Sequence, residues 1–225
     1  MQNIKNPKWS VTLFFLFLSL QTLFAQTKSD IFYENVPVTW LGIDFSQAKF
    51  VGSEAAYKAS GQLVNSEFAE KYASAWNNLF ITEPKKYDVA RAIHRPSVAY
   101  ALDVTEKANK AINKNFFTER EEDFKTLTEQ NISDLIKQYD FQGKTGIGMM
   151  FFVEGMSKGQ EEEGVWVVFM DMNSKTVLLT SYQTGKPGGF GFRNYWAKPF
   201  YTILKSMASD FDQWKKSTLK NEKKS

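Results

Sequence analysis

A cluster of glycines near the carboxyl end is the part of this sequence whose residue types most suggest ligand chemistry. Four of them lie between Gly185 and Gly191, in the stretch "TSYQTGKPGGFGFRNYW". Glycine-rich loops that bind phosphate read GxxxxGK[ST] or GxGxxG and follow the first parallel strand of an α/β unit. This stretch matches neither spacing, and Pro187 removes one backbone amide from any anion-binding loop. The spacing therefore favours a backbone joint, in which glycines adopt positive φ between a strand and a helix.

An anion site at the same stretch stays open as the alternative interpretation. Two cations flank the glycines, and a predicted helix begins just after them, where an anion is stabilised. If the stretch binds an anion, the predicted ligand-binding residues are Lys186, Gly188, Gly189, Gly191 and Arg193.

Histidine chemistry has little support in this sequence. The only histidine is His94, in "RAIHRPS", and no HExxH or GxSxG motif accompanies it. Serine hydrolysis and zinc chemistry both need histidine with placed partners. We therefore predict a loop or surface histidine, no catalytic residues, no metal and no cofactor.

Carboxylates at predicted strand ends offer a second route to chemistry. Glycosidases use two acids that face each other across a cleft, and the candidates here are Asp44, Asp103, Glu154 and Asp171. Asp171 precedes "MNSKT", a segment in which an acid and an asparagine favour a hairpin turn. A structural role is favoured for these acids, and a carboxylate-based hydrolase remains the alternative.

Four segments have the pattern of strands. Val38 to Phe45 is rich in β-branched and aromatic residues, and three apolar runs follow one another closely from "TGIGMMFFVEGM" to "TVLLTSYQT". The polar connections between these runs are short, which predicts antiparallel hairpins. The middle run, Val165 to Met170, is apolar on both faces and needs cover on both sides or a central place in the sheet.

Three segments have the pattern of helices that position these strands. Apolar side chains recur at helical spacing in Glu67 to Phe80, Thr126 to Tyr139 and Lys198 to Trp214. In the second of these, Thr126 and Glu129 have the spacing of a capping box. No single secondary structure is predicted for residues 85–123.

The combined pattern predicts an α+β fold with one domain. We expect a mostly antiparallel sheet of about four to five strands, with the three main helices packed mainly on one face. The predicted boundaries are a signal peptide at 1–25, the domain at 26–215 and a disordered, lysine-rich tail at 216–225.

The first residues predict export. Two lysines precede an apolar run and "TLFAQ", which is the order of a secretory signal peptide cleaved after Ala25. The run is short for crossing roughly 30 Å of hydrocarbon, so no transmembrane segment is expected in the mature chain. Removal of Lys5 and Lys8 leaves 26 basic and 25 acidic residues, a net charge of +1 that gives no reason to expect nucleic acid. The chain has no cysteine, so its fold depends on packing alone.

The carboxyl-terminal part resembles the end of the curli-secretion lipoprotein and TolB amino-terminal domains. The resemblance is carried by "VVFMDMNSKTVLLTSYQTGKPGGFG", a strand, a hairpin return and a glycine-rich stretch that leads into a closing helix, and "VTWLGIDF" is similar to the first strand of that fold. The resemblance implies an envelope domain used for assembly or protein contact, and it carries over no catalytic residue. The chain departs from that type of domain in lacking a lipid-carrying cysteine.

These observations predict an exported, periplasmic or extracellular, non-enzymatic protein that acts through protein contact in the cell envelope. An unidentified envelope protein is the expected partner, and the sequence leaves the oligomeric state open. The alternative is a small-ligand, anion-binding protein or a carboxylate-based hydrolase that uses the joint between Gly185 and Arg193.

Overall fold

The structure is a computed structural model that describes residues 25–53, 55, 68–110, 112 and 116–223. The predicted signal peptide, apart from Ala25, lies outside these residues. Within the described ranges the chain forms seven strands: β1 (Val38–Asp44), β2 (Lys49–Val51), β3 (Ala99–Tyr100), β4 (Phe117–Thr118), β5 (Ile147–Ser157), β6 (Glu162–Asp171) and β7 (Thr176–Gly185).

Five α-helices accompany these strands in the described part of the chain. They are α1 (Ser74–Thr82), α2 (Val89–Ala92), α3 (Asp103–Lys110), α4 (Glu129–Gln138) and α5 (Phe192–Glu222). A π-helical segment, Phe68–Ala73, leads directly into α1, and short 3-10 helices occur at Ser29–Phe32 and Glu121–Phe124. None of the helices in these ranges combines the length and the apolar character needed to cross a bilayer.

β5 is the central strand of the sheet, and all eleven of its residues are buried. β1 and β2 lie one after the other along one edge of β5, both parallel to it, and β3 and β4 extend the sheet in parallel beyond them. Along the other edge, β6 and β7 continue the sheet as antiparallel hairpins. The predicted hairpins are therefore confirmed.

The predicted fold class is wrong. The structure is an α/β fold whose parallel sheet curls into a half-barrel with five helices, rather than a mostly antiparallel sheet with three helices. The parallel pairings join segments that are far apart in the chain, such as Val38 with Ile147. β3 and β4 have two residues each, which is too short for an alternating pattern to show in the sequence.

Helices cover both faces of the sheet, contrary to the prediction of one covered face. α1, α2 and α5 pack on the face that carries Trp40, Phe151 and Val167. α3 and α4 pack on the opposite face, against Phe152 and Val168. This arrangement agrees with the prediction that the apolar strand from Val165 to Met170 needs cover on both sides.

The outer side of β1 is completed by side chains rather than by a strand. β3 pairs with β1 only at Thr39 and Trp40. Further along, the Ile43 amide donates to Asn77 Oδ1 at 2.7 Å and the Phe45 amide donates to Asn109 Oδ1 at 2.8 Å. Both asparagines are buried, so α1 and α3 satisfy backbone groups that a neighbouring strand would otherwise bond.

The predicted helix from Thr126 begins later than expected. α4 is capped by Thr128, whose hydroxyl accepts from the Asn131 amide, and Asn131 accepts from the Thr128 amide in return. The predicted box of Thr126 and Glu129 is therefore wrong. The amides of Thr126 and Leu127 instead donate to the carboxylate of Glu154 in β5, which holds the chain outside the helix at these two positions.

The last helix is longer than predicted at both ends. α5 starts at Phe192, six residues before the predicted Lys198, and ends at Glu222 rather than Trp214. Pro199 lies inside it. Residues 216–222, which the lysine-rich composition predicts to be disordered, are helical in the structure.

Candidate functional site

The glycine-rich stretch joins β7 to α5, and its glycines have distinct structural roles. A Cβ on Gly185 would lie 2.7 Å from Pro199 in α5, so any side chain there would push the helix away from the sheet. Gly189 and Gly191 have φ values of 109° and 79°, which favour glycine. These are the conformations that the joint interpretation predicts.

Hydrogen bonds hold this loop in place on both sides of Phe190. The Trp76 indole N–H donates to the Arg193 carbonyl at 2.8 Å, which ties the start of α5 to α1. The Gly188 amide donates to the Tyr195 carbonyl at 3.0 Å. The Asn194 side-chain amide donates to the Phe190 carbonyl at 3.2 Å.

Phe190 itself projects into solvent, with 95% of its surface exposed. A cleft of about 300 Å³ lies beside it, lined by Lys158, Gly189, Phe190, Gly191, Phe192, Tyr195 and Trp196. The inner wall is packed against the core, because the Phe192 ring lies 4.7 Å from Tyr72 and 6.1 Å from Phe50 between centroids. The loop therefore presents one exposed aromatic ring next to an aromatic cleft.

The structure brings only part of the predicted anion site to this cleft. Gly189 and Gly191 line it, whereas Lys186 and Arg193 do not. The Lys186 ammonium lies 3.0 Å from a carboxylate oxygen of Glu161 on the hairpin between β5 and β6. The Arg193 guanidinium contacts the neighbouring Asn194 side chain at 3.4 Å.

Gly188, the fifth predicted residue, lies beside a cation of α5 rather than in the cleft. A Cβ at Gly188 would come within 2.8 Å of the Lys198 ammonium. Sequence reasoning missed the aromatic residues that line the cleft. The signal available for Phe190 was its position between two glycines. Since neither neighbour has a side chain that could cover the ring, this position indicates an exposed phenylalanine.

The four acids that were predicted at strand ends contact structural partners, although Asp103 begins α3 and Glu154 lies inside β5. Asp44 accepts from the Ser46 amide at 2.6 Å and from the Tyr139 hydroxyl at 2.8 Å. Burial and the neighbouring Asp44 both raise the pKa of Tyr139, so its hydroxyl keeps the proton that it donates. Asp103 forms an ion pair with Lys144 at 2.7 Å.

Asp171 has the turn role that its sequence context predicts. One of its oxygens accepts from the Asn173 amide and the other from the Ser174 hydroxyl, each at 2.9 Å. These bonds close the hairpin between β6 and β7. Lys175 in the same turn has a φ of 55°.

Glu154 is buried among three hydrogen-bond donors. Besides the two amides that precede α4, its Oε2 accepts from the Trp166 indole N–H at 2.7 Å. The residue is 1% exposed. Two donors from the segment before α4 and one from β6 therefore surround this buried carboxylate.

A second buried glutamate has the opposite environment. Glu163 in β6 is fully buried, and neither carboxyl oxygen has a hydrogen-bond partner in the described part of the chain. Its cross-strand partners are Met156 and Gly185, and Gly185 lies against Pro199, so Glu163 lies under α5. Burial raises the pKa of Glu163 well above its ordinary value of 4.5.

His94 connects α2 to α5. Its Nε2 donates to the Ala208 carbonyl at 2.8 Å, and its Nδ1 lies 3.4 Å from a carboxylate oxygen of Asp212. Its φ is 51°. Among the described residues no group of three or more histidines and acids is placed to hold a metal ion.

Comparison of this chain with protein-family models, with curated proteins and with solved structures finds no match. The resemblance to the curli-secretion lipoprotein and TolB amino-terminal domains therefore stays a prediction. The α/β half-barrel and the exposed loop at Phe190 are the features on which a function can be argued.

Proposed function

We propose that this chain is an exported, non-enzymatic protein of the cell envelope that acts by binding another protein through a surface centred on Phe190. The observation that carries the proposal is the exposure of this ring on a loop whose backbone is fixed on both sides. Aromatic side chains, phenylalanine among them, are enriched at protein interfaces relative to the rest of the surface. The signal-like amino terminus supports export, and the structural use of Asp44, Asp103, Glu154 and Asp171 supports a binding role.

The partner that fits this surface has an apolar pocket that receives the Phe190 ring and an edge that fills the adjacent cleft. Phe190 and the cleft together offer mostly apolar contact, which is usual at the centre of an interface. Glycines on each side leave the ring free of neighbouring side chains. A pocket on the partner can therefore enclose the ring on several sides.

The experiment compares capture of envelope proteins by the natural chain, by Phe190→Ala and by Ile81→Ala. Ile81 is a matched control because it is a large apolar residue that is 50% exposed on α1, away from the loop. A captured protein is then purified, and its affinity for all three chains is measured. Loss of an interface anchor costs about 2 kcal/mol or more, so we expect Phe190→Ala to weaken binding at least tenfold and Ile81→Ala to leave it unchanged.

Equal affinity of Phe190→Ala and the natural chain for every purified partner would contradict the proposal. Circular dichroism of each variant shows whether the fold is kept. Phe190 is exposed, so its replacement should not alter stability.

The second candidate function is small-ligand binding in the same cleft. Its size of about 300 Å³ and its aromatic lining favour this candidate. A small ligand would quench or shift the fluorescence of Trp196 in the purified protein, because Trp196 lines the cleft. Capture of an envelope protein that depends on Phe190 would instead favour the protein-binding function. The anion form of this candidate has less support, because Lys186 and Arg193 lie outside the cleft.

A further inference from the structure

A second cleft lies between α2 and the middle of α5, on a part of the surface that the proposed contact does not use. Its volume is about 270 Å³, and it is lined by Lys85, Lys86, Asp88, Arg91, Ala92, Tyr201, Leu204, Lys205, Ala208 and Ser209. The centre of α5 is about 20 Å from the start of the helix, at 1.5 Å per residue. The two clefts are therefore separate sites.

The cleft is strongly positive. Four cationic side chains and one carboxylate line it, a net charge of +3. Three of the cations, Lys85, Arg91 and Lys205, form no ion pair with an acid among the described residues. Lys86 has a long contact, 3.6 Å, with Glu83, and its ammonium lies 4.9 Å from the Tyr87 ring centroid.

The single carboxylate in the cleft has a structural role. One oxygen of Asp88 accepts from the Arg91 amide at 2.9 Å and so caps α2. The cap holds Asp88 against the backbone at the edge of the cleft. Its charge therefore offsets only part of the field of the four cations.

Polar groups and an aromatic ring complete the cleft. Tyr201, Lys205 and Ser209 follow one another at intervals of four residues on one side of α5, and the Ser209 hydroxyl donates to the Lys205 carbonyl at 3.4 Å. The Lys205 ammonium lies 5.5 Å from the Tyr201 ring centroid. Cations from α5, from α2 and from the segment before α2 thus meet at one concave place.

We propose that this cleft binds a phosphate-type oxyanion. Arginine and lysine are the usual partners of phosphate in proteins, arginine through bidentate bonds and lysine as a point charge. The volume equals that of about nine waters at ~30 Å³ each, which leaves room for the group that carries the phosphate. The same chemistry is supplied by a soluble phosphate compound and by the headgroup of an anionic phospholipid.

The test is a titration of the isotopically labelled protein with inorganic phosphate, followed by amide chemical shifts at constant ionic strength. The variant Arg91→Gln/Lys205→Gln removes two of the unpaired cations. The matched control is Lys110→Gln/Lys137→Gln, which removes the same charge from lysines that are paired with Glu106 and Asp134 on α3 and α4. We expect saturable shifts around Arg91 and Ser209, at least tenfold weaker binding in the cleft variant, and unchanged binding in the control.

Shifts that rise linearly without saturation, or an equal loss in both variants, would overturn the proposal. Sedimentation with phosphatidylglycerol and phosphatidylcholine vesicles identifies the source of the phosphate. Binding to phosphatidylglycerol alone, reduced in the cleft variant and competed by inorganic phosphate, points to a lipid headgroup. Saturable phosphate binding without vesicle binding points to a soluble phosphate compound.

Discussion

Glu154 and Glu163 are two buried glutamates on adjacent strands with opposite surroundings. Glu154 belongs to β5 at a register shift and faces α4, whereas Glu163 belongs to β6 and faces α5. Three N–H groups donate to Glu154, and no group in the described ranges donates to Glu163. Both side chains are excluded from solvent.

The difference shows how one residue type serves two purposes in one sheet. A buried carboxylate that accepts several charge-assisted hydrogen bonds holds distant segments together. A buried carboxyl without donors is held in its neutral form, because removal of the proton would leave an isolated charge in an apolar interior. The first is a structural link, and the second makes stability depend on pH.

Glu154→Ala should change the stability of the protein more than any other substitution at these two glutamates. The change leaves three buried N–H groups without an acceptor, and we expect the free energy of unfolding to fall by about 3–5 kcal/mol. Urea unfolding followed by tryptophan fluorescence measures the loss. Glu154→Gln retains an acceptor oxygen and should lose less, and a loss under about 1 kcal/mol for Glu154→Ala would show that the bonds contribute little.

The pH dependence of stability isolates Glu163. Since its pKa is raised in the folded state, the folded chain holds this proton above the pH at which the unfolded chain releases it, and stability falls as pH rises from about 4.5. The slope reaches at most about 1.4 kcal/mol per pH unit. Urea unfolding of the natural chain and of Glu163→Gln across this range should give a difference that grows with pH, and parallel profiles would refute the assignment.

Glu163→Met should stabilise the protein at pH 8. Methionine fills a similar volume without a polar group to bury, and we expect a gain of about 1–3 kcal/mol. Glu154→Met should instead lower the free energy of unfolding, because it leaves three buried N–H groups without an acceptor. A loss of stability in Glu163→Met would mean that the carboxyl has a partner after all.

Two tyrosines show the same difference between a bonded and an unbonded polar group, with smaller expected effects on stability. The Tyr139 hydroxyl donates to Asp44, and the Tyr182 hydroxyl is buried without a partner among the described residues. Tyr139→Phe should cost about 1.5 kcal/mol, whereas Tyr182→Phe should change stability by less than about 0.5 kcal/mol. Thermal unfolding of the two variants side by side checks the pair, and equal losses would remove the distinction.

Local patterns in the sequence predicted the elements that local patterns can specify. The strand from Val38 was correct to within one residue, since the structure ends it at Asp44. The hairpins of β5, β6 and β7 followed from short polar turns between apolar runs. The helix from Thr126 was correct in kind but began at Glu129, because Glu154 in a distant strand draws the Thr126 amide out of the helix.

The candidate site was predicted in part. The joint was expected from the glycine spacing, and two predicted residues, Gly189 and Gly191, line the cleft. Lys186 and Arg193 lie outside it, because Lys186 pairs with Glu161 of the hairpin between β5 and β6 and Arg193 contacts Asn194. Lys158 reaches the cleft from the end of β5, and no sequence spacing links it to Phe190.

The sequence by itself determined the elements whose signals are short-range: hairpins, helical stripes, a cysteine-free core and a strand that needs cover on both faces. Tertiary structure alone decided which strands are parallel, which face each helix covers and which buried acid receives donors. The parallel pairing joins residues such as Val38 and Ile147, and the hydrogen bonds to Glu154 join it to residues such as Leu127. A local pattern carries no information on such partners, because their contact depends on how crossovers close over the whole sheet.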